Sequence, residues 1–134
     1  MSKKYFVTLT AILFILLLNA SFGSGADIPI IPKPVKACFF VAGFIGLLNN
    51  PEFDELNETF SVKEFNWSKI RENCERFYLY NSDNDPYVPL EKGKELAGKL
   101  NGKLKIIKKA GHINKEFGYT KFDLLLEEIK KELK

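Results

Sequence analysis

Three residues spread through this chain have the types that nucleophilic acyl chemistry needs. They are Ser21 in Asn19-Ala-Ser21-Phe-Gly23, Asp85 in Ser82-Asp-Asn-Asp-Pro-Tyr-Val-Pro89, and His112 in Gly111-His112-Ile-Asn114. An imidazole that takes a proton from a serine hydroxyl works as a base only if a carboxylate fixes its tautomer and supports the imidazolium. The chain holds a single histidine, so His112 alone can supply that ring, and Asp85 precedes it by 27 residues. That interval accommodates one helix and one strand. Each residue also has a plainer reading: His112 as a loop histidine, Asp85-Pro86 as an ordinary turn, and Ser21 as part of a leader.

The elements that must position these groups follow from hydrophobic patterning. Ala37-Cys-Phe-Phe-Val-Ala42 is a short apolar run ended by Gly43, the mark of a buried strand. Residues 44–66 show no sustained period, and Asn49-Asn50-Pro51 reads as a break. Trp67, Ile70 and Cys74 share a face of two helical turns. Phe77-Tyr-Leu-Tyr80 reads as a strand stopped by the turn-rich Asn81–Pro86. Pro89 suits the first turn of a helix over Leu90–Leu100, which Asn101-Gly102 ends as a left-handed cap. Leu104-Lys-Ile-Ile107 is a further strand, and the last helix is predicted from Thr120, with Asp123 at the capping-box distance. Its expected core-facing stripe is Phe122, Leu125, Leu126, Ile129 and Leu133. Strand and helix in alternation predict an α/β fold, a mainly parallel sheet with helices on both faces. In such sheets the working loops leave the carboxyl ends of strands, where Ser82–Pro89 and Ala110–Asn114 fall.

Those two loops carry a resemblance. Ser82-Asp-Asn-Asp-Pro-Tyr-Val-Pro89 followed by Gly111-His112-Ile-Asn114, with Val41-Ala-Gly-Phe44 and Phe65-Asn-Trp-Ser-Lys-Ile70 upstream, is similar to the retinoblastoma-binding-protein-9-like serine hydrolases of the α/β-hydrolase superfamily. The likeness covers about residues 35–131, the carboxyl-terminal half of that fold. It implies a three-layer α/β-hydrolase-like fold and cofactor-free, esterase-type acyl hydrolysis of a small ester-like substrate. Asp85 would be the acid, His112 the base and Asp83 a partner within the loop. The nucleophile expected from the resemblance is Ser21, because Asn19-Ala-Ser21-Phe-Gly23 lies 20 residues before Val41. It keeps Gly two places on but has Asn19 where the elbow carries Gly, and no intact Gly-x-Ser-x-Gly occurs in the chain. Ser24 fits the turn less well.

The front of the chain supports two readings. Residues 5–18 are an uncharged run of 14 behind Lys3 and Lys4, with small residues over 19–26, the form of a secretory signal peptide. As a helix this run would span about 21 Å against a hydrocarbon core of roughly 30 Å, too short for a transmembrane anchor. Alternatively, Ala11–Leu18 is a doubly buried strand leading into the elbow at Ser21. Residues 1–26 are thus a signal-like segment or a strand plus elbow, and 27–134 the hydrolase-like half. A signal would send the protein out of the cell or to a membrane, and a strand would keep it cytoplasmic. Few residues precede the elbow, so a shortened relative is expected, lacking the oxyanion loop. Its rival reading is a non-catalytic binding module that pairs an exposed sheet edge with a partner strand or a second copy.

Composition excludes several classes. With 134 residues, 46% apolar, nine Gly and six Pro, the chain is neither low-complexity nor collagen-like. Twenty Lys+Arg against 17 Asp+Glu leave a net charge of +3, and Glu91, Glu95 and Glu116 interleave with the lysines of 92–115, so no nucleic-acid partner is expected. One His and two Cys make no metal site, and Asp83–Lys94 has Val88 and Lys94 where a calcium loop needs Gly and Glu. Cys38 and Cys74 read as buried thiols. A bond between them becomes conceivable on export, though nothing in the sequence brings them together. Asn19, Asn57 and Asn66 begin glycosylation sequons, which matter only in a eukaryotic secretory route.

Overall fold

A computed structural model describes residues 35–62 and 64–134. The segment that carries Ser21 and both readings of the front of the chain lies outside the described residues. Three parallel strands form the sheet, in the order β1 (Cys38–Val41), β2 (Phe77–Ser82), β3 (Lys103–Ile107). Cys38 pairs with Phe77, and Tyr78 with Lys103, so β2 is central and buried along its whole length.

Alternation along β2 builds two faces. Phe77 and Leu79 point to one side, where they meet Cys74, Leu96, Ala97 and Leu100, with Cys38, Phe40 and Leu104 packed around them. This is the main core, closed by α3 (Leu90–Leu100). Tyr78 and Tyr80 point to the other side. Phe39 stacks on Tyr78 at 5.1 Å between ring centroids, Lys103 and Lys105 lie over the two tyrosine rings, and Phe122 meets Tyr80 edge-on. Burial pushes the Tyr80 hydroxyl up to about 12. The helix α4 (Asp123–Glu132) covers this face, giving three layers.

The cap of α3 forms as its residues predict. Asn101 is left-handed at φ 53°, and its amide reaches back to the carbonyls of Ala97 and Gly98. Gly102 follows because a Cβ there would stand 2.5 Å from Leu79 Cδ1. Pro89 sits one position earlier than expected, at the N-cap.

Three expectations need correction. The stretch 44–66 contains a full helix, α1 (Pro51–Ser61), and Asn49-Asn50-Pro51 starts it. Asn50 accepts from the Glu52 amide, Pro51 occupies a first-turn site that needs no donor, and Asp54 turns back to accept from the amides of Leu48 (2.6 Å) and Asn50 (3.0 Å). A short helix, α2 (Trp67–Glu72), follows with Asn66 as its cap. The last helix begins at Asp123, not Thr120, and no side chain caps it. Leu126 (48% exposed) and Leu133 (78%) lie outside the core. Polar contacts hold α4 down: Glu128 pairs with Lys105, and Glu132 accepts from Tyr78 and pairs with Arg76 at 2.9 Å. Charged tips at the ends of long stems can anchor a helix whose apolar stripe only partly meets the sheet.

Candidate active site

The loops leaving β2 and β3 are joined by side chains that replace missing backbone pairing. At the end of β2, the Ser82 hydroxyl accepts from the Ala110 amide (3.1 Å) and donates to Asn84 Oδ1 (2.8 Å). Asn84 Oδ1 in turn accepts from the Gly111 amide at 2.9 Å. Asp83 accepts from the Lys109 amide at 2.7 Å and pairs with Lys108 at 3.1 Å. The Lys109 amide, then Lys108, hold the Asp83 carboxyl below its ordinary range. Asp83 is thus a loop-to-loop tie, the partner role expected for it.

Asp85 stands next, with its side chain only 1% exposed. Oδ1 accepts from the amides of Tyr87 (2.8 Å) and Val88 (3.0 Å), a turn in which the residue between, Pro86, has no amide to satisfy. Oδ2 lies 2.8 Å from His112 Nδ1. Both carboxylate oxygens are therefore committed, and the carboxylate is locked in one orientation. With Nδ1 tied to Asp85, Nε2 is the ring nitrogen without a hydrogen-bond partner among the described residues.

The turn that presents His112 is tightly wound. Lys109, Gly111 and Ile113 all have left-handed φ, at 53°, 56° and 51°. Gly111 is required there twice over, since a Cβ would fall 2.0 Å from the Phe117 ring. Asn114 ends the turn by capping the single 3-10 turn Lys115–Phe117. An aromatic row then buttresses the imidazole. Tyr87 meets His112 edge-to-face at 5.1 Å and 86°, and Phe53 of α1 meets Tyr87 at 5.6 Å and 85°.

Of the three residues singled out in the sequence, the structure brings Asp85 and His112 together at one rim of the sheet, and Ser21 lies outside the described residues. Sequence reasoning missed Asn84, Tyr87 and Phe53. Asn84 had a signal in the Ser82-x-Asn84 spacing, which suits a side-chain turn. Phe53 has none, because Asn49-Asn50-Pro51 reads as a break in the sequence. Among the described residues no group of three or more His, Cys, Asp or Glu side chains is placed to hold a metal ion.

Comparison with known proteins places this geometry in context. The family described as Serine hydrolase matches residues 14–131. Over 68 residues, 51% of this chain, the sequence is 31% identical to Serine hydrolase RBBP9 of Rattus norvegicus, and that stretch is 34% of the rat protein. The fold is similar to the ydeN gene product from B. subtilis, with a TM-score of 0.70 and 24% identity over 76% of this chain and 53% of that one. The chain thus spans about half the length of its structural neighbour, and its match to the curated relative covers a third of that protein.

Proposed function

This chain belongs to the serine hydrolase family, and from that premise we propose that it hydrolyses small ester-like substrates through a Ser21–His112–Asp85 relay. The observation that carries this reading is the 2.8 Å contact between Asp85 Oδ2 and His112 Nδ1, with the other carboxylate oxygen held by two amides. Asp85 fixes the imidazole so that Nε2 takes the Ser21 proton as the hydroxyl attacks the ester carbonyl. The imidazolium that results is stabilised by the buried carboxylate and returns its proton to the departing alkoxide. Water then releases the acyl group by the same steps, with His112 again the base. No cofactor enters this scheme.

The decisive experiment is labelling of the full, folded chain with a fluorophosphonate. Labelling that Ser21→Ala abolishes, and that His112→Ala reduces, is the expected result. Labelling at another serine would move the nucleophile. Failure of folded protein to label would remove the hydrolase reading and leave the binding-module reading, in which the same fold presents its surface to a partner.

A further inference from the structure

The amino end of the sheet, away from the His112 rim, holds the two cysteines together. Val35 forms a parallel bridge to Cys74, its amide donating to Asn73 O at 2.8 Å and its carbonyl accepting from the Glu75 amide at 2.9 Å. Three residues on, the Cys38 amide donates to Arg76 O at 2.8 Å, and the Cys74 thiol points at that same carbonyl oxygen from 3.1 Å. Cys38 packs against the apolar cluster that contains Cys74, so both cysteines gather around the Arg76 carbonyl. A cleft of about 360 Å³ opens beside them, lined by Cys74, Arg71, Arg76, Lys103, Glu75 and Leu100. Three cations and one carboxylate thus surround the entrance to a sulfur that is itself largely buried.

We propose that Cys38 and Cys74 form a modification site, a dithiol that a small disulfide bearing carboxylates converts into an intramolecular disulfide. The Cys74 thiolate attacks one sulfur of the incoming R–S–S–R, forming a Cys74–S–S–R bond as R–S⁻ departs. Cys38 then gives up its proton, and its sulfur attacks the Cys74 sulfur, forming the Cys38–Cys74 bond and expelling a second R–S⁻. Two protein thiols lose two electrons in total, the small disulfide gains them, and the two protons end on the two released thiols.

The roles of the two sulfurs are unequal. The Cys74 thiol is lowered, first by the neighbouring Cys38 thiol and then by nearby main chain, against the opposing effects of burial and Glu75. The thiol of Cys38 is raised, first by the neighbouring Cys74 thiol and then by burial. Cys74 lines the cleft and Cys38 does not, so Cys74 is the attacking sulfur and Cys38 the resolving one. Arg71 and Lys103 supply the positive charge that draws carboxylates to the cleft, Arg76 being paired with Glu132 and Glu75. The inference is independent of the hydrolytic reading, since it uses the opposite end of β2.

The test exposes the full folded chain to glutathione disulfide, blocks residual thiols, and maps the products by mass under non-reducing conditions. Wild type should lose both thiols and retain no glutathione, with a Cys38–Cys74 peptide recovered. Cys38→Ala should stop at one glutathione on Cys74, and Cys74→Ala should react at least tenfold more slowly. The rate of the first step should rise with pH as the Cys74 thiolate forms. Cystamine, a cationic disulfide, should react several-fold more slowly than glutathione disulfide. Both thiols surviving in the folded chain under exposure that oxidises the denatured chain would overturn the proposal. So would a stable glutathione adduct on wild-type Cys74, or equal rates for the two alanine variants; these wild-type outcomes decide the matter even if a variant fails to fold.

Discussion

The two ends of β2 are built differently. At the carboxyl end, side chains of Ser82, Asp83, Asn84 and Asp85 accept from backbone amides of the next loop or of their own turn, so each polar group is fixed by main chain that cannot swing away. At the amino end, Arg76 shares Glu132 with the Tyr78 hydroxyl and also approaches the Glu75 carboxylate, contacts made by long side chains of which Arg76 is 43% exposed. Short side chains bonded to amides lose little freedom, whereas long ones must be ordered to make each contact. A rigid rim suits groups that must stay in register, and a looser cleft suits thiols that must change partner. The contrast teaches where the chain can tolerate change.

The largest expected effect is at the rim. Asp85→Asn keeps an oxygen for the Tyr87 and Val88 amides but presents an amide group, or the wrong tautomer, to His112. Ester hydrolysis should fall by about 10⁴-fold with little loss of stability. Measured kcat alongside thermal unfolding checks both halves, and an unchanged kcat would show that the pair is only structural.

Next comes the turn that carries the imidazole. Gly111→Ala should destabilise by about 2–4 kcal/mol, because it adds a left-handed penalty to an overlap with Phe117. Gly98→Ala, in an exposed turn of α3 with nothing within 4 Å of the new Cβ, should instead stabilise by roughly 0.5–1 kcal/mol. Urea unfolding of the two variants gives opposite signs if backbone conformation at the rim is the controlling factor.

Glu132→Ala strips the amino end of its shared acceptor. Tyr78 and Arg76 then lose a buried partner, and a cost of about 1–3 kcal/mol is expected in the same urea assay. A neutral result would mean that α4 is held by Phe122 and Lys105–Glu128 alone.

The smallest effect concerns pH. Asp83 is depressed in the folded state, so the stability it contributes is present above its unfolded value near 4 and is lost as pH falls through the folded one. The melting temperatures of wild type and Asp83→Asn should therefore differ slightly at pH 7 and converge in acid. A gap that persists well below the unfolded value would assign the effect to geometry in place of charge.

Local signals made much of this architecture legible. The apolar runs of β1 and β2, the left-handed Asn101-Gly102 stop, and the alternation of strand and helix depend on neighbours in sequence, and each formed where its residues predict. The order of an acidic loop and a Gly-His turn after successive strands was also readable, because parallel topology sends both to one rim. The resemblance over the same loops carried the fold class, which similarity to the ydeN gene product supports. Helix α1 escaped because Asn-Asn-Pro marks a break and a helix start alike, and the choice turned on Asp54 reaching back to Leu48. Leu126 and Leu133 misled because amphipathic spacing states which residues share a face, not how far that face is covered.

What residue types and spacing determined by themselves was therefore the elements, their parallel connection and the edge on which chemistry would gather. Only the tertiary structure decided the contacts between distant segments: Phe53 behind Tyr87 behind His112, Glu132 between Tyr78 and Arg76, and Cys38 beside Cys74. The physical reason is one of range. Propensity and capping act within a turn or two of chain, whereas these contacts exist only after the strands have paired in register and brought together residues 25 to 56 positions apart.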